Sequence, residues 1–148
     1  MSELQSKKKL LIGYGNTLRR DDGVGPWVAN YIRTNLSNNV DIRIHHQLTV
    51  ELCETLSHYD LVVFVDAQLN ADSAKSIIEI TENNEQPIFT HTSTPHGLLQ
   101  LTRKLYNRNP KAYWFRISGY EFNHGEGLSS KTLTIAQESC HSILELLR

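Results

Sequence analysis

Three groups in this chain have the residue types and the settings to do chemistry. The first is the acid pair Asp21-Asp22, near the end of the glycine-rich run Gly13-Tyr-Gly-Asn-Thr-Leu-Arg-Arg-Asp-Asp-Gly-Val-Gly-Pro26. One acid at that place can serve the positive N-terminus of a following helix. Two in a row beside a glycine turn leave the other free to point into a crevice. The second group is Asp66, which closes the apolar run Leu61-Val-Val-Phe-Val65. A carboxylate there is costly unless it is paired, hydrogen-bonded or bound to a metal, although an end-of-strand turn residue is the plainer alternative. The third is His96, which follows Thr94-Pro95 at a helix start. The helix dipole disfavours imidazolium at that end, and a neutral ring can bind a metal. A surface histidine is the alternative reading, and His91 is a second candidate in the same loop. Two carboxylates and one imidazole form a borderline-hard set suited to Ni, Zn or Mn, and too few ligands for a closed structural site.

Other chemistries find less support. The glycine run lacks the third glycine of a dinucleotide fingerprint, because position 18 is Leu, and it has no Lys-Ser/Thr ending of a P-loop. The second strand ends in His45-His46-Gln47, with no carboxylate for a ribose. His45 and His46 point to opposite faces of that strand and cannot readily share one metal. His58, His124 and His141 read as surface residues. Cys53 and Cys140 fall on inward helix faces without a Cys-x-x-Cys partner. No Gly-x-Ser-x-Gly elbow and no His-Glu-x-x-His helix is present, which argues against serine and zincin catalysis.

The elements that must position the three groups can be read from periodicity. Lys9–Tyr14, Val40–Ile44, Leu61–Val65, Ser76–Thr81, Pro87–Phe89 and Tyr113–Ser118 read as strands. Between them lie amphipathic helices. Pro26 suits a first helical position, with Val28, Ile32 and Leu36 on one stripe. Thr49 can cap a helix that turns Val50, Cys53 and Leu56 inward, and Thr94-Pro95 opens one backed by Leu98, Leu101 and Leu105. The last helix, about Ser129–Leu147, gathers Leu133, Ala136, Cys140, Ile143 and Leu147. This alternation predicts a three-layer α/β sandwich, phosphorylase/hydrolase-like, with a mostly parallel central sheet flanked by helices. Ser76–Phe89 leaves room for an antiparallel excursion. In such sheets ligands sit beyond the carboxyl ends of strands, which singles out the loops Gly13–Pro26, Asp66–Ser73 and Thr90–His96.

Composition sets the outer bounds. The 148 residues carry 15 Lys+Arg against 16 Asp+Glu, a formal charge of −1, and suit a single domain, 1–148. With 39% hydrophobic and 21% charged residues the chain reads as globular. Near-neutrality argues against a nucleic-acid partner. No apolar run approaches the ~20 residues of a membrane helix, and no signal peptide is visible, so a cytoplasmic location is expected. Two cysteines make no disulfide framework.

The glycine-rich run through Pro26, Phe-Val-Asp66-Ala and Thr-Pro-His96 together resemble the [NiFe]-hydrogenase maturation endopeptidases, peptidase family M52, over nearly the whole chain. His46–Leu52 and the segment from Ser118-Gly-Tyr-Glu-Phe to Gly127-Leu-Ser look like the subgroup that matures bidirectional, NAD(P)-linked hydrogenases. The resemblance implies a single cut near the C-terminus of the hydrogenase large-subunit precursor after nickel insertion. It implies Asp22, Asp66 and His96, or His91 in place of His96, as ligands of a nickel supplied by the substrate. Asp22 or Asp66 would then position water at the scissile carbonyl, unless the metal polarises that carbonyl itself. A monomer is expected. The alternative function is a metal-sensing binding module that docks on a nickel protein without cutting it.

Overall fold

A computed structural model describes residues 6–35, 39–69, 72–82 and 93–148. Its strands are β1 (Lys9–Tyr14), β2 (Val40–His45), β3 (Leu61–Leu69), β4 (Lys75–Ile80) and β5 (Lys111–Gly119). Its helices are α1 (Val24–Asn35), α2 (Leu52–Leu56), α3 (Pro95–Tyr106) and α4 (Ser130–Leu146). The sheet order is β2-β1-β3-β5-β4. All neighbours are parallel except β4, which runs antiparallel to β5 and is the excursion for which the sequence left room.

The apolar run in β3 explains the three layers. Val63 and Val65 face a core built with Leu11, Val28 and Ile32 and with Ala136 and Ile143 of α4. Val62 and Phe64 face a second core with Leu10, Ile12, Leu56 and Leu98. A strand buried on both faces carries apolar residues at every position, and β3 does so from Leu61 to Val65. The start of α1 presses hard onto this sheet. A Cβ on Gly25 would collide with the Val65 carbonyl oxygen and lie 2.7 Å from the Tyr14 oxygen, so only glycine fits there.

Strand β3 is longer than expected. Its pairing with β1 ends at Gly13↔Val65, while its pairing with β5 continues to Leu69↔Gly119. Asp66 therefore lies inside the strand, at the step where the pairing of β3 with β1 has ended, and does not end it. From β1 the chain crosses to β2 on one side, and from β2 it crosses back to β3 on the other. The gap beyond β1 and β3 is thus the switch point where open α/β sheets bind ligands.

Several local expectations shift. Helix α1 begins at Val24 after a 3₁₀ turn over Arg20–Gly23, placing buried Pro26 third in its first turn. Thr49 does not cap α2, whose N-cap is Glu51 with no side-chain bond, and Val50 stays 48% exposed. Leu105 lies near the exposed end of α3 and is 62% accessible, because the stripe from Leu98 has rotated off the sheet by then. Leu36, Pro87–Phe89 and His91 lie outside the described residues.

Candidate active site at the switch point

The two adjacent acids have separate fates. Asp21 is fully buried. Its carboxylate accepts hydrogen bonds from the amides of Tyr120 (2.8 Å), Glu121 (2.9 Å) and Ser129 (2.7 Å), and from the hydroxyls of Ser129 (2.7 Å) and Thr132 (2.9 Å). Burial works to raise its pKa, but the bonds from Tyr120, Ser129 and Glu121 outweigh it and hold the carboxyl below the ordinary range. Asp21 thus ties the glycine loop to the β5–α4 connection and to the first turn of α4. The helix it serves is α4, whose N-cap is Ser129, and not the α1 that follows it in sequence.

Asp22 is the acid that reaches the crevice. One oxygen accepts the Asn16 amide at 2.7 Å, which folds the loop back on itself. Gly15 makes that fold possible, with φ at +145° and the Asp22 carbonyl lying where a Cβ would go. Asp22 lines a cavity of about 340 Å³ together with Arg19, Ala67, Leu69, Arg116 and Phe122.

Asp66 is built into a polar cluster on the α2–α3 face of the sheet. Residues 10, 12 and 14 of β1 share that face with 62, 64 and 66 of β3 and with 112, 114 and 116 of β5, as alternation along parallel strands requires. The Trp114 indole Nε1 donates to Asp66 Oδ1 at 3.0 Å. The Tyr14 hydroxyl hydrogen-bonds the same carboxylate, and Arg116 Nε stands 3.7 Å from Oδ1. Burial nevertheless pushes the Asp66 pKa up to about 6. The Tyr14 bond, the Arg116 charge and the Trp114 bond oppose the rise, and the charge of Asp22 adds to it. Desolvation, reinforced by the neighbouring Asp66 charge, also drives the Tyr14 phenol upward, so it remains a proton donor at neutral pH.

His96 is the second residue of α3. The Thr94 side chain accepts the Gly97 amide at 3.1 Å and fixes this first turn, as the Thr-Pro start suggested. The His96 ring meets Trp114 edge to face, with centroids 5.7 Å apart. Trp114 therefore touches both Asp66 and His96. Asp22 lines the cavity that Arg116 also lines, and Arg116 Nε stands 3.7 Å from Asp66, so the two acids are linked through one guanidinium and His96 through an indole. Among the described residues, no three His, Cys, Asp or Glu side chains stand close enough to hold a metal on their own.

The other described histidines and the two cysteines stand apart from this cluster. His45 is half-buried at the end of β2, its pKa lowered by burial and by Arg43, while His46, His58, His124 and His141 are exposed. Cys53 and Cys140 are buried thiols pushed up in pKa by desolvation. Sequence reading missed Tyr14, Trp114 and Arg116. Their signal lies in strand parity, but it becomes visible only once β1, β3 and β5 are known to be neighbours in register.

No protein-family model and no curated protein sequence matches the chain. Solved structures do. HybD, a hydrogenase maturating endopeptidase from E. coli, superposes with a TM-score of 0.76 at 20% identity, covering 95% of this chain and 92% of that one. The [NiFe] hydrogenase maturation protease HycI from Thermococcus kodakarensis gives 0.74 at 19%, covering 95% and 92%. A hydrogenase 2 maturation peptidase from a Thaumarchaeota archaeon gives 0.68 at 23%, covering 95% and 98%. The chain has the three-layer α/β fold of these maturation peptidases over nearly its whole length.

Proposed function

We propose that this chain is a [NiFe]-hydrogenase maturation endopeptidase, a hydrolase that removes a C-terminal peptide from the nickel-loaded large-subunit precursor. The observation that carries the reading is that Arg116 lines the Asp22 cavity and pairs with Asp66, linking both acids at the switch point of a fold shared with peptidases of that name. The glycine-loop motif that supplies Asp22 and the Thr-Pro-His motif that supplies His96 support it from the sequence side. The segments His46–Leu52 and Ser118–Ser129 favour a bidirectional, NAD(P)-linked hydrogenase as the partner.

In this reading the nickel is cargo of the substrate. Two carboxylates and one imidazole that form no closed site by themselves suit a metal that arrives already held by another protein. Asp22, Asp66 and His96 approach the nickel and anchor the precursor. A carboxylate of the pair then directs water at the scissile carbonyl. Asp66, with its pKa near 6, can both take up and return a proton near neutral pH.

The test is to incubate the nickel-loaded precursor with the protein and follow its mass. Loss of a small C-terminal fragment, absent with nickel-free precursor, is the expected result. A stable, uncleaved complex would instead establish a metal-sensing binding module.

A further inference from the structure

Arg116 stands beside the carboxylate pair with its hydrogen-bonding capacity unspent. Its guanidinium carbon lies 4.4 Å from the centroid of the Trp114 ring, so the indole supports the cation. Its Nε is buried and has no hydrogen-bond partner, and at 3.7 Å from Asp66 Oδ1 it makes an ion pair without a hydrogen bond. No other donor of the guanidinium has an acceptor among the described residues. A guanidinium carries five N–H groups in a rigid fork; the buried Nε is the one left unsatisfied, at a cost unless an acceptor arrives, and the rest of the fork is part-exposed and open to a ligand. The place from which one can arrive is the cavity of about 340 Å³ that Arg116 lines with Asp22, Ala67, Leu69 and Phe122.

Resting on the function proposed above, we infer that Arg116 is a further catalytic residue, whose guanidinium donates to the scissile carbonyl oxygen and holds the oxyanion formed there. The choice of a carbonyl follows from the surroundings. A carboxylate on the substrate would be a third negative group beside Asp22 and Asp66, whereas a carbonyl enters neutral and gains charge only as the transition state forms. Donors fixed in advance at such a point favour the transition state over the bound substrate. The exposed Leu69 and half-buried Phe122 offer apolar contact to the side chains flanking the bond.

The step balances. The water oxygen bonds to the carbonyl carbon while one water proton passes to the carboxylate that held it. The carbonyl π electrons move onto oxygen, where Arg116 donates. They return as the C–N bond breaks, and the carboxyl proton goes to the leaving nitrogen.

The experiment is single-turnover cleavage of the nickel-loaded precursor at increasing enzyme, together with the affinity for uncleaved precursor. Arg116→Met keeps the length and the packing on Trp114 but removes every donor. Its rate at saturating enzyme should fall about 100-fold or more, with affinity nearly unchanged. Arg116→Lys, which restores the charge without the fork, should be faster than Met and slower than wild type. A Met variant as fast as wild type at saturation overturns the inference, as does a loss confined to affinity, or a Lys variant no faster than Met. If Met does not fold, Arg116→Gln is judged by the same two readings. Wild type that binds the loaded precursor without cutting it ends both this inference and the proposed function, whereas a cutting wild type with an equally active Met variant ends this inference alone.

Discussion

Trp114 Nε1 donates to Asp66 Oδ1 at 3.0 Å, across the register pair that sets Asp66 opposite Arg116 on β5. The same indole takes the edge of His96 on one side and supports the Arg116 guanidinium. One side chain therefore orients a carboxylate, an imidazole and a cation. Trp114→Phe should retain most of the packing and lose the bond to Asp66. A hydrogen bond to a charged group is worth about 1.5–3 kcal/mol, so a tenfold or larger fall in cleavage rate is expected. The urea midpoint should fall as well, because the same bond is lost from the folded state. A variant with wild-type rate would show that the indole only fills space.

Asp21 should matter to stability far more than to catalysis. Asp21→Ala strands the buried amide and hydroxyl of Ser129, at a cost of about 1–3 kcal/mol for each group left unpaired, and releases the part-buried amides of Tyr120 and Glu121. Expression and thermal melting should show a protein at the edge of unfolding, and Asp21→Asn should recover part of the loss. The pH sign follows from the lowered folded pKa. The contribution of Asp21 is complete above its ordinary value of 3.8 and is lost as pH falls through the folded value. Urea midpoints of wild type should therefore drop faster than those of Asp21→Asn as pH is lowered from 5 toward 3, on the order set by that linkage.

Much of this division was legible beforehand. The glycine run, the apolar β3 strand and the Thr-Pro start placed Asp22, Asp66 and His96 at one rim, and alternation of strands and helices gave the layers. Which of Asp21 and Asp22 is structural was not legible from the pair itself, where only the family resemblance pointed to Asp22 for the site, because the answer depends on a loop about a hundred residues away in the chain. Tyr14, Trp114 and Arg116 were hidden for a related reason. Each looks like an ordinary strand residue until the strand order puts it beside Asp66. Val50 and Leu105 show the opposite failure: apolar residues in a helical pattern need not face inward where the helix is short or running off the sheet.

Asp66 should be a group that function keeps at the expense of stability. Its pKa is raised from 3.8 to about 6 in the folded protein. A raised carboxyl favours the folded state at low pH, with that advantage complete below the unfolded value and lost as pH rises through the folded one. Above pH 6 the ionised side chain should cost about 3 kcal/mol, the free-energy equivalent of the shift. Asp66→Asn keeps the shape and removes the charge. It should be more stable than wild type at pH 7–8 by up to about that amount, with the difference vanishing near pH 4. Cleavage should be abolished in the same variant. Equal urea midpoints at pH 8 would show that Tyr14, Trp114 and Arg116 fully compensate the buried charge.

Under the proposed function, the third group expected at the nickel can be decided by comparing two histidines. His96 sits in the first turn of α3, fixed by the Thr94 cap and packed on the indole that also holds Asp66. Those contacts hold its ring against the indole that donates to Asp66. His96→Ala should therefore abolish cleavage of the loaded precursor, as Asp22→Ala should, while both variants melt within a few degrees of wild type, since neither change empties the core. His91→Ala should cut at the wild-type rate. The readout that separates a ligand from a mere neighbour is affinity for precursor with and without nickel. Wild type should bind the nickel-loaded form more tightly, and His96→Ala should bind both forms alike. If His91→Ala loses that preference and His96→Ala keeps it, the imidazole that meets the nickel is His91.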